Sequence, residues 1–350
     1  MRRWGIVSCL ILIVAFALSV PAAAQALSVS GGHLSSGSPV NANISAAGEE
    51  IEYTFSATAG ENVTFNVTNF NFTGNGSSPA FYLVFFEPGS SSQYTSCTFG
   101  GNTYCHFSPP QSGTWSVLLE PVGSSVGSLT LTFASNVATQ SLESGVAAPT
   151  TIKFEGQYAQ YTFSATAGKN VTFNVTNFNF TGNGSSPAFY LVFFEPGSNS
   201  QYTSCTFAGN SYCHFSPPQS GTWSVLLEPV GSSVGSLTLT SANNVASITL
   251  GPRVALATTI KFEGQYAQYT FSATAGNSVA FNVTDFKFSG NGSSPAFYLV
   301  FFEPGSNSQY TSCTFAGNGS CDLSPPQSGA WSILLEPVGT SVGSLIIEMA

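Results

Sequence analysis

Charge is what this sequence has least of. Asp, Glu, Lys and Arg make up 7% of the 350 residues, and only seven of them are basic. Two of the seven, Arg2 and Arg3, sit at the start, so Lys153, Lys169, Arg253, Lys261 and Lys287 face sixteen acidic residues over the rest. A basic patch cannot be assembled at that ratio, which excludes nucleic acid as a partner. Histidine is nearly missing: His33, His106 and His214 are the full set. No segment repeats its apolar residues at a helical period. The apolar run Ile6–Val20 is shorter than the roughly 20 residues a membrane-spanning helix needs. The scarcity of charge does not amount to a disordered composition, because 43% of residues are hydrophobic and their positions alternate.

That short apolar run has the anatomy of a secretion signal. Arg2 and Arg3 precede it, and Pro21-Ala22-Ala23-Ala24 follows as a small-residue cleavage site. The expectation is export, extracellular or periplasmic, with no membrane contact once residues 1–26 are removed. Six of the seven cysteines lie beyond the signal, as Cys97/Cys105, Cys205/Cys213 and Cys313/Cys321. Even numbers in an exported chain predict disulfides. Each pair brackets a turn-forming stretch, such as Gly100-Gly101-Asn102, which reads as a hairpin clamped at its tip. Two thiols per pair, without a histidine retained beside every one, do not make a zinc site.

The cysteine pairs keep step with a larger repeat. YTFSATAG begins at Tyr53, Tyr161 and Tyr269, 108 residues apart each time. A unit of that length is a whole domain rather than a solenoid repeat. Within it, period-two alternation prevails: Val63, Phe65 and Val67 share one face, and Thr64 and Asn66 the other. The phase then slips to Phe70 and Phe72, which predicts a bulge near Thr68-Asn69. FYLVFF (Phe81–Phe86) is apolar on both faces, and Trp115, Val117 and Leu119 alternate again with Trp115 inward. Gly/Pro-rich turns punctuate these stretches. The expected fold is all-β: three tandem antiparallel β-sandwiches of jelly-roll-like form, over 27–145, 146–253 and 254–350. The stretches Ala134–Pro149 and Ser241–Arg253 read as linkers.

The run YTFSATAG, a Val/Phe-alternating strand, FYLVFFEPG, SGTWSVLLEP and GSLTLT resembles the bacterial pre-peptidase C-terminal domain family. The likeness spans Tyr53–Thr132, Tyr161–Thr240 and Tyr269–Glu348. It implies a jelly-roll-like sandwich, usually attached to a secreted hydrolase and without catalysis of its own. This chain departs from that pattern by carrying no enzyme domain and by adding the cysteine pair.

Repetition also weeds candidate sites. Gly123-Ser124-Ser125-Val126-Gly127 matches the G-x-S-x-G elbow of serine hydrolases. The elbow needs a following helix and a histidine, whereas here a strand follows and the third copy has no histidine, so a tight turn is expected. His106 and His214 become Asp322 in that copy. Glu87/Glu195/Glu303 and Glu120/Glu228/Glu336 precede proline in every copy, yet two carboxylates do not make a calcium site. No cofactor, metal or catalytic residue is therefore expected. The rings Tyr82, Phe86, Tyr94, Tyr104, Tyr202, Tyr212 and Tyr310 are the candidate ligand contacts, as stacking platforms for sugars or peptide side chains. Tyr104 and Tyr212 become Ser320 in the third copy, so that ring marks either a difference in binding or mere surface cover. Asn62, Asn66, Asn71 and Asn75 begin glycosylation sequons that an alternating Asn/Thr outer face creates by composition alone.

Two functions fit. One is a secreted, non-catalytic, multivalent binder of a glycan or other extracellular or cell-surface polymer, gaining avidity from copy number. The other is a structural or spacer protein of the envelope or matrix. Only four of 80 positions separate the first two copies over Tyr53–Thr132 and Tyr161–Thr240: Glu61/Lys169, Ser91/Asn199, Gly100/Ala208 and Thr103/Ser211. Assembly state is not encoded in any feature of the sequence.

Overall fold

A computed structural model describes residues 27–74, 80–182, 187–290 and 295–350. The expected signal at 1–26 and the sequon at Asn75 lie outside them. The described chain is all-β, with three sandwiches of two sheets each. The first comprises β1 (Leu27–Leu34), β2 (Pro39–Ile44), β3 (Glu49–Ala57), β4 (Val63–Thr73), β5 (Phe81–Phe86), β6 (Gln93–Phe99), β7 (Thr103–Phe107), β8 (Gly113–Pro121) and β9 (Val126–Ser135). One sheet runs β1-β3-β8-β5-β6 and the other β2-β9-β4-β7. Neighbours are antiparallel except β1 and β3, which pair in parallel because the chain visits the opposite sheet as β2 between them.

Alternation is what closes each sandwich. Phe55, Phe65, Phe85 and Trp115 are fully buried between the sheets, with Phe55 edge-on to Phe65 at 5.0 Å between ring centroids. Equivalent residues build a separate core in each of the other two sandwiches. The expected bulge is present. Register shifts between Thr68 and Asn71, and Asn69 takes φ 51°, a conformation asparagine tolerates better than most residues. The Phe70 N–H beside the bulge donates to Asn102 Oδ1 at 3.0 Å, and the same bond recurs at Phe178–Asn210 and Phe286–Asn318.

The disulfides Cys97–Cys105, Cys205–Cys213 and Cys313–Cys321 all form, but none clamps a hairpin. β6 pairs with β5 and β7 with β4, in opposite sheets. The Gly100-Gly101-Asn102 stretch therefore crosses from one sheet to the other, and the disulfide staples their edges together. Cysteine spacing reports a short loop and cannot say whether its two arms pair with each other.

The expected domain boundaries also move. Val137–Ser141 pairs in parallel with Ala159–Ala165 and so opens the second sandwich, ahead of the boundary expected at 145/146. Val245–Thr249 likewise opens the third, ahead of 253/254. Ala134–Pro149 and Ser241–Arg253 are mostly strand rather than linker, and one residue separates the sandwiches at each junction, Asn136 and Asn244. The repeated strings mark the well-packed middle of each unit, whereas the opening edge strand is short and differs between copies.

Candidate functional site

The strand β4 is buried on both faces over Val63–Val67, which a sandwich core covering one face does not explain. Thr64 is 0% exposed, although it points away from the core. What covers it is the second domain. Lys153-Phe154-Glu155-Gly156-Gln157-Tyr158 forms a turn seated on the outer faces of β4 and β7. Thr64 Oγ1 donates to Glu155 O at 2.9 Å, Asn66 Nδ2 to Glu155 O at 2.8 Å and Asn62 Nδ2 to Gly156 O at 3.1 Å. Gln157 Nε2 donates to Ser135 O at 3.0 Å, holding the end of β9 just before the single-residue junction. Burying these amides and hydroxyls would cost stability if they were unpaired, so their pairing is the condition for the seam.

The second junction repeats the arrangement. Lys261-Phe262-Glu263-Gly264-Gln265-Tyr266 caps the second domain, with Thr172 Oγ1 donating to Gly264 O at 2.9 Å and Gln265 Nε2 to Asn243 O at 2.9 Å.

Both tyrosines that drop out of the third copy lie in these seams. The Tyr104 hydroxyl donates to Gly231 O of the second domain at 3.0 Å, and its ring leaves no room for a Cβ at Gly156. Tyr212 fills the same place over Gly264. They are half-buried between domains, where each ring packs against the turn of the following domain. His106 keeps an exposed edge and lies between Tyr104 and Tyr158, with ring centroids 6.0 and 5.3 Å away. The Tyr158 hydroxyl donates to Glu228 Oε1 at 3.1 Å and meets His106 Nε2 at 3.2 Å. Tyr266, Glu336 and His214 form the matching set. One of the two recurrent glutamates thus serves the seams. In the first copy Glu50 stands where Tyr158 stands in the second, and its carboxyl is pushed upward by burial and then by the nearby Glu120 charge.

The remaining candidate rings divide. Tyr94, Tyr202 and Tyr310 are 44%, 46% and 44% exposed and stand edge-on to Trp115, Trp223 and Trp331 at 5.3, 5.4 and 5.3 Å. Tyr82 and Phe86 are half-buried on the outer face of β5. The counterparts of Phe86, Phe194 and Phe302, line clefts where the domains meet. The first cleft measures about 660 Å3, between the Ala59–Asn62 turn and Pro109-Pro110 on one side and Gln160, Phe194 and Ser224 on the other.

The G-x-S-x-G segment is a turn entering β9, as expected. A Cβ at Gly127 would collide with the Asn71 backbone, and the Ser125 hydroxyl is buried with no hydrogen-bond partner. Among the described residues no group of three or more His, Cys, Asp or Glu converges to hold a metal. Of the sequons, Asn62 and Asn66 are 5% and 7% exposed within the seam. Sequence reasoning missed the seams, although LysPheGluGlyGlnTyr occurs in copies two and three and not in copy one, where Ser45–Glu50 replaces it.

Two outcomes follow. Gly48, Gly156 and Gly264 share φ values of 79°, 71° and 72°, so alanine strains the backbone alike at all three, by about 1–2 kcal/mol. Only Gly156→Ala and Gly264→Ala also strike a tyrosine, so each should loosen its own junction to proteolysis while Gly48→Ala leaves both intact. Partial desolvation lowers the His106 pKa, opposed in part by Glu228. A depressed folded-state value means that His106 supports the seam fully above its unfolded value of about 6.5 and that this support is lost as pH falls through the folded value. Hydrogen exchange at the Val137 amide, bonded to Tyr158 O, should therefore quicken between pH 7 and 5 relative to core amides. His106→Phe should remove that acid dependence.

No protein-family model and no curated protein sequence matches this chain. Among solved structures, the CUB1-EGF-CUB2 domain of human MASP-1/3 is similar at 8% identity and TM-score 0.21, covering 58% of this chain and 99% of that one. The triple jelly roll of an archaeal virus turret gives 12% and 0.18, covering 86% and 81%. The M60 catalytic domain with two CBM51 domains from Clostridium perfringens ZmpB gives 10% and 0.16, covering 89% and 34%. Likenesses at these scores carry no argument about what this chain does.

Proposed function

We propose that the chain is an exported, non-catalytic array of three sandwiches of the pre-peptidase C-terminal type that binds a glycan or other surface polymer. The observation that carries this reading is the tyrosine at Tyr94, Tyr202 and Tyr310. Each ring is nearly half exposed, is braced by a buried tryptophan and recurs in one pose per domain. A ring held rigidly loses little conformational freedom on contact and offers its remaining surface to a sugar or peptide side chain. Three such rings on domains joined by single residues present a fixed spacing, which favours a target that is itself repetitive. Disulfides in every domain fit an oxidising destination outside the cytoplasm.

The seams favour a second reading, in which the chain is a rigid spacer and its length is the function. Retention on insoluble polysaccharides separates the two. The binding reading expects the mature chain to be retained and Tyr94→Ala/Tyr202→Ala/Tyr310→Ala to lose about 100-fold or more in apparent affinity, as loss of avidity predicts. Equal retention of both proteins would remove these rings from the account. No retention on any polymer would leave the spacer.

A further inference from the structure

We propose that the cleft at the first seam is a binding site for a neutral saccharide, and that Lys169 closes its counterpart at the second seam. The proposal rests on the reading that the chain recognises sugars, and it assigns one soluble-ligand site apart from the exposed tyrosines.

The first cleft is the right size. Small-molecule sites enclose about 300–1,000 Å3, and this one encloses about 660 Å3. Its lining contains no Asp, Glu, Lys or Arg and is made of amides, hydroxyls, prolines and rings. A phosphate or sulfate ester would need cationic partners, which are missing from these walls. An acidic polymer would also meet a chain of net charge −9. Hydroxyl-rich, uncharged ligands match the groups present. Gln160 is held in its strand by the backbone pairing with Leu226, and among the described residues its carboxamide makes no hydrogen bond, so it has both a donor and an acceptor to offer. Phe194 is half-buried in the wall, where part of its ring surface can meet the apolar face of a pyranose.

The second seam assembles its cleft from counterpart residues. Asn170, Gln268, Phe302, Asn307 and Ser332 stand where Asn62, Gln160, Phe194, Asn199 and Ser224 stand in the first. Yet it encloses only about 180 Å3, and a separate hollow of about 210 Å3 shares Asn170, Asn244 and Gln268 with it. Both fall below the range of small-molecule sites. Lys169 lines that second hollow, and its Nζ donates to Gln268 Oε1 at 3.1 Å, occupying the carboxamide that Gln160 leaves open. The residue at the matching position of the first seam is Glu61. Of the residues that differ between the first two copies, Asn199 lines the first cleft and Lys169 the hollow at the second seam, while Glu61 sits in the chain between the first cleft's lining residues Gly60 and Asn62.

The same pair of residues supplies the test, because each is already native at the other's position and the exchanges should not disturb the fold. The mature three-domain chain is titrated calorimetrically with neutral xylo-, cello- and malto-hexaose. The expected result is one site per chain with at least one of these probes. Glu61→Lys should weaken that binding by tenfold or more, and Lys169→Glu should raise the stoichiometry to two. Absence of binding by all three probes, indifference to Glu61→Lys, or an unchanged stoichiometry in Lys169→Glu would overturn the proposal. Polymer retention that depends on Tyr94, Tyr202 and Tyr310 could stand in any of those cases, so failure of the cleft and failure of the binding array are separate results.

Discussion

Everything about how the three domains sit together depends on one contact, the carbonyl groups of a Glu-Gly turn resting on the outer face of the preceding sandwich. A sandwich made alone would leave Thr64 and Asn66 to water. Here Glu155 O accepts from both, beside the Cys105 carbonyl that also faces the Thr64 hydroxyl at 3.2 Å, so both side chains keep partners when the second domain covers them. The turn needs glycine twice over. Gly156 takes a φ of 71°, and its missing side chain is the space that Tyr104 occupies. Gln157 adds a donor that the Glu49 of the first copy could not supply, and with it grips Ser135 beside the junction. The three domains are stacked units rather than beads on linkers, each keeping its own core.

The ends of the array are built differently for the same reason. The first domain has no predecessor among the described residues, and its turn carries Ser45, Ala46, Glu49 and Glu50 in place of Lys153, Phe154, Gln157 and Tyr158. Glu49 there folds back to accept from the Ser45 and Ala46 amides. The third domain has no described successor, and Ser278, Ala280, Ser320 and Asp322 replace Asn62, Thr64, Tyr104 and His106. Ala280 and Asn282 are half-buried where Thr64 and Asn66 are buried. Terminal units with more polar or smaller outer faces are what stacked repeats require to stay soluble. They also remove the complementary surfaces that would let one chain dock on another through these contacts.

Much of the sandwich was legible. Alternation places Phe65 and Trp115 inside, and the phase slip marks the bulge at Asn69, because both follow from the two-residue period of a strand. Pairing across the disulfide was not legible, since an eight-residue separation suits a hairpin and a crossing between sheets equally well. The seams were hidden by the comparison of copies itself. Treating the third copy as a control discards His106 and Tyr104 as dispensable, but that copy has no described neighbour at the face those residues occupy. A residue that changes at the end of an array reports a lost contact as readily as a lost purpose. The cue that could have found the seam is the co-occurrence of LysPheGluGlyGlnTyr with a preceding copy that has the histidine and the tyrosine.

Rigid seams are the claim on which the array, the clefts and the fixed spacing of the tyrosines all rest. Pulsed dipolar distance measurement tests it directly, with spin labels on a non-cysteine attachment at the exposed, equivalent positions Ser96 and Ser312 of the first and third domains. The account predicts a single narrow distance distribution at neutral pH. A broad distribution, of the kind independent domains on flexible links produce, would contradict it.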